Sequence, residues 1–226
     1  MTNYRDGLIL LLAAAGAGTD AIIILGFDVL TAAQTGNTIL MAVAIARGDF
    51  SVGLSAGISV VAFLAGVVLG QLILSLARSR ANGTGLRRAL GLQLGFLAAV
   101  IGLWHWNEVA FAHGMIALAA IAMGIQSAVV MNLNSRPTTY ITGMLTTFAV
   151  GLTRHWSESH RRATKGTAGA DDHPWKHGMT WLIYGLSAVG TGWIFLRVGP
   201  LALLLPMAAI TVVLAMNPRR LLRDSE

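Results

Sequence analysis

Asp20 is the only acidic residue lying well inside an apolar run of this chain. A charge at the centre of a membrane helix costs about 2.5–3.5 kcal/mol on insertion scales, so such a residue faces a cavity or a partner. Three roles are open to it. It could carry a proton, bind a cation or a substrate amine, or be held by backbone amides at the start of a short helix. No Lys or Arg lies deep enough in an apolar run to neutralise it. Gln34, Thr35, Gly36 and Asn37 follow it, and a second polar set recurs later as Gln126, Ser127 and Asn132, then Thr138, Thr139, Thr142, Gly143, Thr146 and Thr147. Thr142 and Thr146 are four apart and share a helical face. Small hydroxyl, amide and glycine residues of this kind can line a path for a solute. They also let membrane helices pack closely, and Thr hydroxyls bond their own preceding turn.

Other chemistries lack their residues. There is no Gly-x-Ser-x-Gly, phosphate loop, His-Glu-x-x-His or carboxylate pair at depth, and no cysteine for a thiolate site. His173 and His177 are four apart but separated by Pro174, with no fixed acidic third ligand. Neither an enzyme, a metal nor a cofactor is expected.

The surrounding sequence explains why these polar residues stand out. Of 226 residues 55% are apolar and 12% charged, against roughly a quarter charged in soluble domains. The mean hydropathy is +0.67. The net charge of +6 would suggest nucleic acid only if the basic residues formed a face, and they do not. The expectation is a single all-helical integral membrane domain over 1–226, with the bilayer as its solvent.

Six runs are long enough to cross: Gly7–Phe27, Val52–Ala77, Ala89–Trp106, Val109–Met131, Gly178–Leu196 and Leu201–Met216. The first is read as a retained helix, not a cleaved signal, because apolar character resumes after Asp20 as Ala21–Phe27. Thr35–Ala46 and Tyr140–Trp156 are shorter, and they follow the leaders Asp28–Gln34 and Asn132–Thr139. The polar stretch 154–177 reads as a cytoplasmic loop. Trp104, His105 and Trp106 sit at a span end, where aromatic residues anchor at the interface.

If only the six long runs cross, with both termini cytoplasmic, every one of the 16 Lys and Arg residues except Arg47 and Arg197 falls on the inner side. Letting both short segments cross would cancel that bias. Six spans plus two segments that dip in and return are therefore expected.

A shift of 107 residues places Thr35-Gly36 on Thr142-Gly143, Asp20 on Ser127 and Ala21 on Ala128. A long helix, a leader, a Thr-Gly segment and two more long helices recur in that order, over about 7–106 and 109–216. The expected topology makes these halves inverted repeats, a transporter architecture when interrupted helices meet near the midplane. Each short helix would then start at depth with its positive dipole end there, capped by Thr35 or Thr142.

Asp20-Ala21, Thr35-Gly36-Asn37-Thr38, Gly124-Ile125-Gln126-Ser127-Ala128 and the run Thr138–Thr146 together resemble the YoaK-like family of small bacterial inner-membrane proteins, a domain of unknown function. The resemblance spans roughly residues 7–216. It departs at Ala17, at Ala33-Gln34 and at Ser127, and leaves Asp20, Gly36, Asn37, Gln126, Thr139, Thr142 and Gly143 in place. It implies a multi-pass membrane protein of the bacterial inner (plasma) membrane and supplies no substrate.

The resulting expectation is a small-solute or ion channel or secondary transporter. Its pathway would involve Asp20, Thr35, Gly36, Asn37, Gln126, Ser127, Thr139, Thr142, Gly143 and Thr146. The alternative is a non-transporting scaffold or partner subunit. A homo-oligomer is compatible with so small a bundle.

Overall fold

A computed structural model of the chain describes residues 4–77, 83–133, 141–161 and 174–216. The described residues are helical nearly throughout, with no strand among them. α1 spans Tyr4–Phe27, α2 Gln34–Arg47, α3 Phe50–Leu76, α4 Thr84–Asn132, α5 Ile141–Arg161, α6 Pro174–Val198 and α7 Leu204–Ala215. A 3₁₀ turn at Gly199–Leu203 joins the last two.

Local chemistry sets the breaks. Gly48 closes α2 in the left-handed region, φ 75°, and Asp49 opens α3 by accepting from the Val52 amide at 3.2 Å. Two residues thus make a tight helical hairpin. α4 is interrupted at Asn107 (φ −161°, ψ 99°), whose Oδ1 accepts from the Ala110 amide at 3.0 Å and so caps a second arm.

Five stretches are long and apolar enough to cross a membrane: Asp6–Phe27, Phe50–Leu76, Thr84–Asn107, Val109–Asn132 and Trp175–Ala215. The protein is a multi-pass, all-helical membrane protein. The last two runs seen in the sequence form one helical stretch here, broken at Gly199 (φ 64°) and Pro200. Within the polar stretch 154–177, residues 154–161 are the end of α5, α6 begins at Pro174, a residue suited to the first turn of a helix, and 162–173 lie outside the described residues.

Contacts at several heights fix helix directions. Asp6 pairs with Lys176 at 3.0 Å, Ser187 Oγ donates to the Ala14 carbonyl at 2.8 Å, and Gly18 faces Thr191, so α1 and α6 run parallel. Gly66 lies on the Ile121 backbone, Gly70 on Ile125 and Ala128, and Asn132 donates to Gln71 at 2.7 Å, so α3 parallels the second arm of α4. Gly66 and Gly124 meet backbone to backbone, leaving no room for a Cβ on either. The first arm of α4 follows α1: Gln93 lies level with Leu12, and Trp104 covers Gly26. Gly85 sits against Leu74 and Ala77, folding that arm back along α3. α1 is therefore antiparallel to α3.

The core gathers Leu12, Ile22, Leu97, Met115, Met123 and Ile210 from α1, both arms of α4 and α7. Trp104 belongs to it, 8% exposed and packed between a tilted Phe27 ring and an edge-on Phe195 ring, whereas Trp106 is exposed. The interface role expected of both aromatics is thus corrected for Trp104, whose ring fills the space that Gly26 leaves. On α3, Leu54, Val61, Leu64, Val68 and Leu72 are exposed, an apolar face suited to lipid.

Candidate functional site

The polar residues singled out by the sequence converge on the segment between α1 and α2. α1 ends as Asp28 enters the left-handed region (φ 57°), which Asp tolerates better than most residues. The chain then turns back along α1. Its non-helical backbone needs partners, since none is available from lipid.

Asp20 supplies most of them. It is 3% exposed. Its Oδ1 accepts from the Thr31 amide (2.6 Å), the Thr31 hydroxyl (2.9 Å) and the Ala32 amide (2.7 Å). Its Oδ2 accepts from the Ala33 amide (3.1 Å) and from the Tyr184 hydroxyl of α6 (3.2 Å). Five donors saturate this carboxylate, whose lone pairs offer about four strong sites.

Asn37, fully buried, holds the same segment from the other side. Its Oδ1 accepts from the Leu30 amide (2.9 Å) and its Nδ2 donates to the Leu30 carbonyl (2.6 Å). Ser59 of α3 also donates to that carbonyl (2.6 Å), and Gln34 donates to the Thr31 carbonyl (2.8 Å). The Ala32 and Ala33 carbonyls accept from the Gln34 and Gly36 amides, so every backbone N–H and C=O from Leu30 to Ala33 has a partner.

The Thr-Gly pair plays other parts than expected. Thr35 is exposed and lies in the first turn of α2, not at its cap; Ala33 holds the cap position with no side-chain cap bond, and Asp20 instead binds the amides of the segment leading into it. Gly36 is half-buried, and a Cβ there would meet Leu30 Cδ1 at 2.6 Å, so glycine lets the leader lie on the helix. In α5, Thr142 and Thr146 are exposed, Gly143 is half-buried, and Thr146 donates to the Thr142 carbonyl of its own helix (2.9 Å). Thr139 lies outside the described residues. α2 packs on α3 and α5 on α6, and α2 and α5 are not a packed pair among the described residues.

Gln126 lies about one turn of α1 below Asp20. Its Nε2 donates to the Leu12 carbonyl (2.8 Å), approaching over Gly16, and its Oε1 accepts from Gln93 Nε2 (2.8 Å). Ser127 is buried beside it. No cluster of three or more metal-ligating side chains occurs among the described residues.

Thr31, Ser59, Gln93 and Tyr184 escaped the sequence reading. Gln93 carried a signal, as a lone amide within the run Ala89–Trp106; the other three are types common in membrane helices.

Residues 8–216 match the family described as "Protein of unknown function (DUF1275)", and the chain belongs to it. No curated protein and no solved structure matches the chain.

Proposed function

We propose that this member of a family of unknown function is a small-solute or ion channel or secondary transporter of the bacterial inner membrane, built as an inverted repeat. In this reading six helices cross, α2 and α5 re-enter, and both termini are cytoplasmic. The observation that carries it is the segment 29–33, non-helical backbone buried or half-buried in protein beside Asp20. Asp20 lies seven residues before the end of α1, about 10 Å below that end at 1.5 Å per residue. Non-helical backbone at such depth is a feature of transporters with broken helices. Because α1 and α3 are antiparallel, a chain leaving one and entering the other stays at one end of the bundle, which favours α2 as a dip and return. The matching pairs α1 with α6 and α3 with the second arm of α4, each parallel, favour two halves related by a pseudo-two-fold axis. The basic residues and the YoaK-like motifs favour the bacterial inner membrane and inward termini.

A scaffold or partner subunit is the second reading, favoured by the saturation of Asp20, which leaves that carboxylate without spare capacity for a solute. In either reading the chemistry is not enzymatic. Two measurements separate the readings. The chain has no cysteine, so single cysteines at the exposed positions Asp28 and Arg47 can be labelled with an impermeant reagent. Both should react from the outer face; reaction from opposite faces would make α2 a full span and remove the inverted repeat. Flux of any solute into proteoliposomes above protein-free vesicles supports transport, and flux of none supports the scaffold.

A further inference from the structure

We infer that the buried Gln93–Gln126 pair binds an uncharged hydrogen-bond donor, and that this sets the substrate class of the proposed pathway; the second half of this statement rests on the transport reading. Gln93 is completely buried, yet its Oε1 has no hydrogen-bond partner among the described residues. Buried amide oxygens in folded proteins are almost always paired, so an orphan of this kind calls for an explanation.

The orientation of the pair is not free to resolve the conflict by itself. The Leu12 carbonyl can only accept, so the Gln126 atom facing it at 2.8 Å is Nε2. That turns Gln126 Oε1 towards Gln93, which must answer with its own Nε2, at 2.8 Å. Gln93 Oε1 is thereby left with both lone pairs open. Gly16 lies beneath the amide where it reaches across to the Leu12 carbonyl; a Cβ there would stand 3.4 Å from Gln126 Nε2, an ordinary contact. Gln93 lies nine residues into the first arm of α4, about 14 Å along it, so the open oxygen is at membrane depth.

Charge decides what can meet it. A metal cation takes about six oxygen ligands, and here one is free. An anion needs a cationic group or an open helix start. No Lys or Arg lies deep in a described span, and the amides of Ala32 and Ala33, which lead into α2, are already bound by Asp20. Asp20 itself is saturated. What fits is a small neutral permeant with an N–H or O–H group, either water or an amide or alcohol.

The test is stopped-flow light scattering on proteoliposomes, with urea and glycerol as neutral probes, KCl and ammonium chloride as charged ones, and an impermeant osmolyte for water. Urea or glycerol should enter faster than into protein-free vesicles, and Gln93→Leu should slow that entry roughly tenfold, the scale of one hydrogen bond. Gln93→Asn keeps an amide but withdraws it by one methylene and should give an intermediate rate; it also serves if Gln93→Leu fails to fold, judged by elution and helical circular dichroism. Water flux that depends on Gln93, with no urea or glycerol entry, would identify water as the donor and also support the site. Flux of ions alone, or neutral flux indifferent to Gln93, would overturn the inference while leaving transport standing. No flux of any probe would overturn both.

Discussion

The starts of α2 and α5 bear the same Thr-Gly pair, yet the two helices are held by different chemistry. At α2, Asp20 and Asn37 grip five backbone groups of the preceding segment, with help from Ser59 and Tyr184 on two other helices. The shift of 107 residues that superposes the pairs puts Ser127 in place of Asp20 and Met144 in place of Asn37. Met144 is buried, and the hydroxyls of Thr146 and Thr147 bond their own helix. Among the described residues the Thr-Gly pair recurs, whereas the polar clamp is found at α2.

The sharpest way to break this comparison is to remove the two equivalent residues. Asp20→Ala leaves the amides of Thr31, Ala32 and Ala33 without their acceptor, at about 1–3 kcal/mol for each buried orphan. A loss of at least about 3 kcal/mol is expected in denaturant or thermal unfolding of the purified protein. Ser127→Ala should cost less than about 1 kcal/mol. Equal losses would mean that the halves are clamped alike.

Glycines at the two helix crossings sharpen it further. Gly66→Ala drives a methyl group into the backbone carbonyl of Ile121, which cannot rotate away. Gly18→Ala meets Thr191 Oγ1 at 2.9 Å, a side chain able to change rotamer. The first should cost about 2–3 kcal/mol and the second about half that, in the range for overpacking. The reverse order in thermal unfolding would contradict the view that the α3 crossing is the tighter.

Next in size is the pair Asn37→Leu and Met144→Leu. Leucine at position 37 strips the Leu30 amide and carbonyl of a buried partner, although Ser59 still serves the carbonyl. About 2 kcal/mol should be lost, whereas Met144→Leu conserves volume and should stay below about 1.5 kcal/mol.

How much of this was legible in the sequence follows the same division. Long apolar runs announce themselves by length, and the break between Trp106 and Val109 appears at Asn107. The start of α2 lies one residue from the expected Thr35. α5 outran its expected end at Trp156 because the polar residues Ser157 to Arg161 continue a helix without lengthening an apolar run. Asp20 and Asn37 stood out by type. Their partners did not, because backbone amides carry no residue identity, and Tyr184 is remote in sequence from Asp20. Thr35 misled for the opposite reason: Thr is a good cap by type, but α2 begins at Gln34, which leaves Thr35 inside the first turn.

The smallest expected effect tests the one side-chain bond from α6 to the clamp. Tyr184→Phe removes the hydroxyl that donates to Asp20 Oδ2 at 3.2 Å, a long bond beside a carboxylate that keeps four other donors. Since the acceptor is not orphaned and the ring remains, the loss should be about 0.5–1.5 kcal/mol. Made in an Asp20→Asn background, the same change should cost less than it does alone, because the acceptor no longer carries a full charge. If the two losses simply add, Tyr184 acts through packing on α1. If Tyr184→Phe instead costs as much as Asp20→Ala, the clamp depends on α6, and the first half does not hold its own broken segment.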